Sequence, residues 1–217
     1  MFFRLRSIMR VVLLSPLLLG LSCLMFLTSP VYAASNNILI YGDSLSAAYG
    51  IPQQLGWVSL LQQRLEDQHY PYKVINASVS GETTSGGLSR LSATLNEHQP
   101  NIVILELGAN DGLRGLPLTE MQANLAQIIE QSKKYGAKVL IIGMKIPPNY
   151  GPKYSQSFTQ KYQLLSQELK VPRVPFMLQG MENRPELIQD DGLHPNVQGQ
   201  PIILENIWPQ LKLILKK

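Results

Sequence analysis

Cysteine is nearly absent from this chain. The one cysteine, Cys23, lies in an apolar run near the N-terminus, so nothing beyond it carries a thiol. That excludes a disulfide framework, thiol catalysis and cysteine-based metal sites from the rest of the protein. Charge is scarce as well. Charged residues make up 16% of the sequence against 45% hydrophobic, which excludes a disordered or strongly electrostatic chain. The formal net charge of +4 shrinks once it is located. Arg4, Arg6 and Arg10 sit in the first 33 residues, which hold no acid, and the other 184 residues carry 16 basic against 15 acidic side chains, a net of +1. No basic patch of the size that nucleic acid requires is left. An internal repeat, a low-complexity linker and any shift in composition after residue 34 are missing too, so the chain reads as one domain.

What is present begins with a long apolar run. Val11 to Leu27 has no charge, follows the three arginines and precedes Val31-Tyr32-Ala33, the small-residue spacing of a cleavage site. Residues 1–33 therefore read as a secretory signal, and 34–217 as a mature domain that is periplasmic or secreted. The run is longer than a usual signal core, and an uncleaved anchor is the alternative. Pro16 and Gly20 oppose a stable spanning helix, so no membrane span is expected in the mature protein. Gly20-Leu21-Ser22-Cys23 lacks the leucine expected three residues before a lipid-modified cysteine, so Cys23 reads as part of the apolar run.

Beyond the signal, short apolar runs alternate with amphipathic stretches. Ile38 to Tyr41, Lys73 to Ala77, Ile102 to Leu107 and Val139 to Ile142 have the pattern of buried strands, and Val174 to Met177 is a weaker fifth. Helical spacing of apolar residues covers Leu55 to Leu65, Leu88 to Glu97, Thr119 to Tyr135, Phe158 to Leu169 and Pro201 to Leu215. Leu211, Leu213 and Ile214 of the last are expected in the core. The alternation predicts right-handed βαβ units and an α/β fold, a flavodoxin-like doubly wound five-stranded parallel sheet with helices on both faces. Loops after strands one, two, three and five would then emerge at one sheet edge, carrying Ser44, Gly81, Asn110 and His194.

Each of those residues has a plain reading and a chemical one. Ser44, in Gly42-Asp43-Ser44-Leu45-Ser46, either caps a helix or is a nucleophile at the edge where open α/β sheets bind ligands. Gly81 fits an ordinary strand-to-helix turn, and equally a close backbone approach. Asn110 in Gly108-Ala109-Asn110-Asp111-Gly112 makes a turn, or donates its amide to a developing oxyanion. Asp191 either caps the last helix or reaches the imidazole of His194 three residues on, fixing Nε2 outward as a base. His69 and His98, at polar helix ends, receive no role. Asp43 and Glu106 read as structural hydrogen-bonding residues rather than chemical ones.

Gly42-Asp43-Ser44-Leu45-Ser46, Gly81, Gly108-Ala109-Asn110-Asp111 and Asp191-Gly192-Leu193-His194 resemble, in order, blocks I, II, III and V of the SGNH (GDSL) hydrolases. Val74-Ile75-Asn76-Ala77-Ser78, the run from Glu106 to Gly115, and Asn149-Tyr150-Gly151 further resemble the periplasmic thioesterase, lysophospholipase and arylesterase branch of Gram-negative bacteria. No G-x-S-x-G elbow occurs, which disfavours a typical α/β-hydrolase. The resemblance implies Ser44 as nucleophile, His194 as general base and acid, and Asp191 as the residue orienting it. It implies an oxyanion hole from the N–H groups of Ser44 and Gly81 with the Asn110 side chain, and no metal or cofactor. Loops 113–117 and 147–151 would wall the acyl groove, with Leu113, Leu116 and Tyr150 apolar. Arg114 there either meets a lipid or coenzyme phosphate or is a solvated loop residue. The implied substrates are lysophospholipids, fatty acyl thioesters and aryl esters, taken by a monomer. A carbohydrate acetylesterase of the same superfamily, or a catalytically silent lipid- or glycan-binding protein, are the alternatives.

Overall fold

Five short parallel strands make the frame of the protein: β1 (Asn37–Gly42), β2 (Lys73–Asn76), β3 (Ile102–Glu106), β4 (Lys138–Ile142) and β5 (Arg173–Val174). They lie in the order β2-β1-β3-β4-β5, all parallel. This computed structural model describes residues 36–217 and Phe2. The expected signal, with Arg4, Arg6, Arg10, Cys23 and the Val31-Tyr32-Ala33 spacing, lies outside the described residues.

The sheet is buried because its strands are apolar on both faces. Ile38, Leu39, Ile40 and Tyr41 of β1, and Val103, Ile104 and Leu105 of β3, are wholly inaccessible. Two groups of helices cover it: α1 (Trp57–Asp67) packs with α6 (Gln200–Lys212), while α2 (Thr84–His98), α4 (Leu118–Lys134) and α5 (Pro152–Glu168) pack side by side. Each turns a stripe inward, such as Met121, Leu125, Ile128 and Ile129 of α4. The flavodoxin-like α/β expectation is therefore met. Among the described residues no helix is long and apolar enough to cross a membrane.

Several elements differ from their expected bounds. A five-residue helix, α3 (Ala109–Leu113), stands where only a turn was expected. Helix α2 starts at Thr84 because the Thr83 hydroxyl accepts the Gly86 N–H. Helix α5 starts at Pro152, not Phe158, since proline suits the first helical turn. Strand β5 stops at Val174, because Pro175 has no N–H to continue the ladder. Leu211 is in the core as expected, but Leu213 lies beyond the end of α6 and is 74% exposed.

The order of strands fixes where chemistry can occur. Strand β1 has β2 on one side and β3 on the other, so the chain reverses direction across the sheet there, and Gly42 pairs with Glu106 at the carboxyl ends. Connections on either side of this switch leave on opposite faces, which opens a crevice beyond the strand ends. Ser44 lies two residues past β1.

Candidate active site

The site is assembled from four connections at that edge. Ser44 lies in the turn after β1, Gly81 in the loop between β2 and α2, and Asn110 on the first turn of α3 after β3. Asp191 and His194 come from the long segment between β5 and α6. That segment folds back on itself: the Gln189 N–H donates to the His194 carbonyl at 2.8 Å, and Ile188 and Pro195 form an antiparallel bridge. Gln189 Nε2 donates to the Tyr49 carbonyl at 2.8 Å, tying this loop to the one that bears Ser44.

The tie brings three side chains into one chain of bonds. Ser44 Oγ lies 2.8 Å from His194 Nε2, and His194 Nδ1 lies 2.6 Å from Asp191 Oδ2. Asp191 Oδ1 accepts the backbone N–H groups of Leu193 (2.9 Å) and His194 (3.0 Å). Those bonds hold the Asp191 carboxyl down at about 2, the His194 N–H first among them. A carboxylate so fixed assigns the Nδ1 proton of His194 to itself and leaves Nε2 to accept the serine proton. The ring of Tyr49 lies against the imidazole, with centroids 4.6 Å apart.

Donors face the serine as well. Neither the Ser44 N–H nor the Gly81 N–H has an acceptor among the described residues, and both residues line the same cavity. Asn110 lines it too, but its Nδ2 donates to Asp43 Oδ2 and to the Glu82 carbonyl, each at 3.0 Å. Its two amide protons are thus already engaged.

Beneath the serine lies a buried pair of carboxyls. Glu106 Oε2 accepts the Asp43 N–H (3.1 Å) and the Ser46 hydroxyl (2.7 Å), and its Oε1 has no partner. Burial, then the Asp43 charge, pushes the Glu106 carboxyl well up. Burial also pushes Asp43 up to about 6, against the opposing bond from the Leu45 N–H. Neither carboxyl is hydrogen-bonded to Ser44 Oγ, and Glu106, unlike Asp43, does not line the cleft. The glycine before Asp43 is forced by this pair: a Cβ on Gly42 would overlap the Glu106 carboxylate and come within 2.9 Å of Ser46 Oγ.

The cleft above Ser44 has a volume of about 360 Å³ and apolar walls. Of the expected groove loops, Leu113 and Pro147 line it, but Leu116, Tyr150 and Arg114 do not. Arg114 instead donates from Nη2 to the Gly81 carbonyl at 2.9 Å. Tyr150 lies behind Leu113, its hydroxyl donating to the Leu113 carbonyl at 2.9 Å, and Leu116 lies past the end of α3, clear of the cleft. The walls come from Leu45, Met144, Ile146, Pro147, Leu178 and Leu193, with Lys145 among them. Sequence reasoning missed Tyr49, Met144, Ile146 and Leu178. For Ile146 the signal available was its place beside Pro147, in the loop after β4 at the same sheet edge.

Fold and site define a hydrolase of the doubly wound α/β class. The chain belongs to the GDSL-like lipase/acylhydrolase family, whose model matches residues 40–202. Esterase TesA of Pseudomonas aeruginosa is 45% identical over 207 residues, 95% of this chain and 100% of its own. Thioesterase 1/protease 1/lysophospholipase L1 of Escherichia coli K12 is 40% identical over 180 residues, 83% of this chain and 85% of its own. Among solved structures, the psychrotrophic esterase EstA from Pseudoalteromonas, inhibited by monoethylphosphonate, superposes with a TM-score of 0.79 at 42% identity, covering 82% of this chain and 98% of its own.

Proposed function

We propose that the protein is an exported serine esterase that hydrolyses acyl esters and thioesters, lysophospholipids among them, through an acyl-serine intermediate. The observation that carries this reading is the 2.8 Å bond from Ser44 Oγ to His194 Nε2, continued at 2.6 Å to Asp191. As Ser44 Oγ attacks the acyl carbonyl carbon, its proton passes to His194 Nε2, and Asp191 stabilises the imidazolium. The carbonyl oxygen becomes an oxyanion that accepts the unbonded N–H groups of Ser44 and Gly81, with the Asn110 amide beside them. The tetrahedral adduct collapses as His194 returns the proton to the departing alkoxide or thiolate. Water then attacks the acyl-serine, His194 accepting its proton and passing it to Ser44 Oγ as the acyl–oxygen bond breaks, and the carboxylic acid leaves.

The acyl group fits the apolar cleft along Leu113, Ile146 and Leu178. A second cavity of about 720 Å³ shares Ile146, Pro147, Leu178 and Leu193 with the first, room for a longer chain. That apolar continuity favours fatty acyl substrates over acetylated sugars. The names of the relatives, an esterase and a thioesterase/lysophospholipase, support the same substrates. Export rests on residues 1–33, and mass spectrometry of the protein recovered from the producing cell should find an N-terminus near Ala34. Recovery only as a chain beginning at Met1 would instead mean a retained anchor.

An organophosphonate probe tests the chemistry, because it traps the serine as a tetrahedral adduct. The wild-type protein should be labelled on Ser44, and Ser44→Ala should be unlabelled with turnover lowered roughly 10⁴-fold or more. Absence of label from both, with lipid binding retained, would make the protein a silent binding module. Rates across p-nitrophenyl esters from acetyl to dodecanoyl, set against acetylated sugars, then separate the fatty acyl esterase from the acetylesterase.

A further inference from the structure

The loop that carries Gly81 is exposed, and its central residue is a glycine with φ of +78°. A backbone of that kind has several orientations of similar energy, because glycine populates positive and negative φ about equally. An oxyanion donor, by contrast, must be aimed before the charge develops. Something has to hold the Gly81 N–H toward the cleft.

Two bonds do so, one from Asn110 of α3 and one from Arg114, the residue that caps its C-terminal end. The side chains of Asn110 and Arg114 are four residues apart, at opposite ends of this one-turn helix and on one face of it. Asn110 Nδ2 donates to the Glu82 carbonyl at 3.0 Å, and Arg114 Nη2 donates to the Gly81 carbonyl at 2.9 Å. Successive carbonyls of the turn are thus gripped by successive teeth of one helix and its cap. The far side of the turn is also tied: the Glu82 carboxylate forms an ion pair with Arg90 of α2, and the Glu82 N–H donates to the Val79 carbonyl at 3.1 Å. The Arg114 bond to the Gly81 carbonyl and the Glu82 N–H bond to Val79 together fix the Gly81–Glu82 peptide, the anchor against which the adjoining Ser80–Gly81 peptide and its N–H are oriented. Of the two, the bond from Arg114 has the charged donor and is the stronger.

We propose that Arg114 is a positioning residue for the oxyanion hole, holding the Gly81 carbonyl so that the Gly81 N–H stays aimed at the acyl oxygen. It acts through the backbone and does not recognise the substrate. The bond is solvent-exposed, so its removal should leave folding intact and let the turn sample orientations in which the N–H is turned away. The effect falls on the transition state rather than on substrate binding.

The proposal rests on Gly81 as an oxyanion donor, and the experiment separates the two. Arg114→Ala is assayed on p-nitrophenyl acetate, which is neutral and short, beside wild type. We expect kcat to fall about tenfold with KM within about twofold, and organophosphonate labelling of Ser44 to slow by the same factor. Added guanidinium should restore much of the lost kcat in Arg114→Ala and leave wild type unchanged, and Arg114→Lys should fall between the two. A merely structural role would not be rescued in this way. Unchanged kcat in Arg114→Ala, with wild type labelled normally at Ser44, overturns the proposal and leaves the esterase reading standing. A fall in kcat that guanidinium does not reverse overturns it as well. A KM raised only for phosphate-bearing lysophospholipids or coenzyme A thioesters makes Arg114 a substrate contact instead. If wild type itself is neither labelled nor active, it is the esterase reading that fails.

Discussion

Asn110 has one amide nitrogen with two protons, and both are engaged, by Asp43 Oδ2 and by the Glu82 carbonyl. An oxyanion in the cleft must share one of those protons, whereas the Ser44 and Gly81 N–H groups are free to point at it. Asn110 should therefore matter less than a dedicated oxyanion donor, whose loss costs roughly 10²–10³ in kcat. Asn110→Ala is expected to lower kcat on an aryl ester by about 10- to 100-fold. Steady-state kinetics check this, and a loss above about 10³-fold would mean the amide is the principal donor. The Asp191–His194 pair was legible from its spacing alone, whereas Ser44, Gly81 and Asn110 owed their chemical reading to the resemblance of their motifs to the GDSL-type blocks. The walls of the cleft were not legible. Met144, Ile146 and Leu178 are apolar residues beyond strand ends, and in the sequence they look no different from residues that fill the core.

Among the elements, β1 and β3 were legible for the opposite reason: a strand buried on both faces is a run of apolar residues and needs no partner to be recognised. Helix α3 was hidden because Gly108 and Gly112 give its sequence the look of a turn, and β5 because two residues make no pattern. The seam between β1 and β3 is also where the packing is least forgiving. Gly42 faces the Glu106 carboxylate and Ser46 across it, and a methyl group there has no space. Gly42→Ala should lower unfolding free energy by about 2 kcal/mol, the ordinary cost of overpacking a filled interior. Urea denaturation measures it, and a change below about 0.5 kcal/mol would show that Glu106 moves aside without strain.

For the molecule as a whole, the buried carboxyls set how stability varies with acidity. The folded protein keeps a proton on Asp43 up to about pH 6, whereas the ordinary value is 3.8, and Glu106 is displaced in the same direction. Between those values the folded chain binds more protons than the unfolded one, so this contribution is present below about pH 4 and lost as the pH rises through 6. For Asp43 it is on the order of 3 kcal/mol, at about 1.4 kcal/mol per pH unit. Asp191 has the reverse sign: its contribution is present above about pH 4 and lost as the pH falls through about 2. The urea midpoint should therefore decline between about pH 4.5 and 7, and a midpoint that rises across that window would contradict the raised carboxyls. The bond between Ser44 and His194 has a different reach, since it joins positions 150 apart in the chain. On the proposed mechanism, a polypeptide still emerging from the ribosome at the end of α5 carries its nucleophile without a base, and is harmless to any ester it meets. Catalysis is therefore the last property the chain acquires, and its onset times the completion of folding.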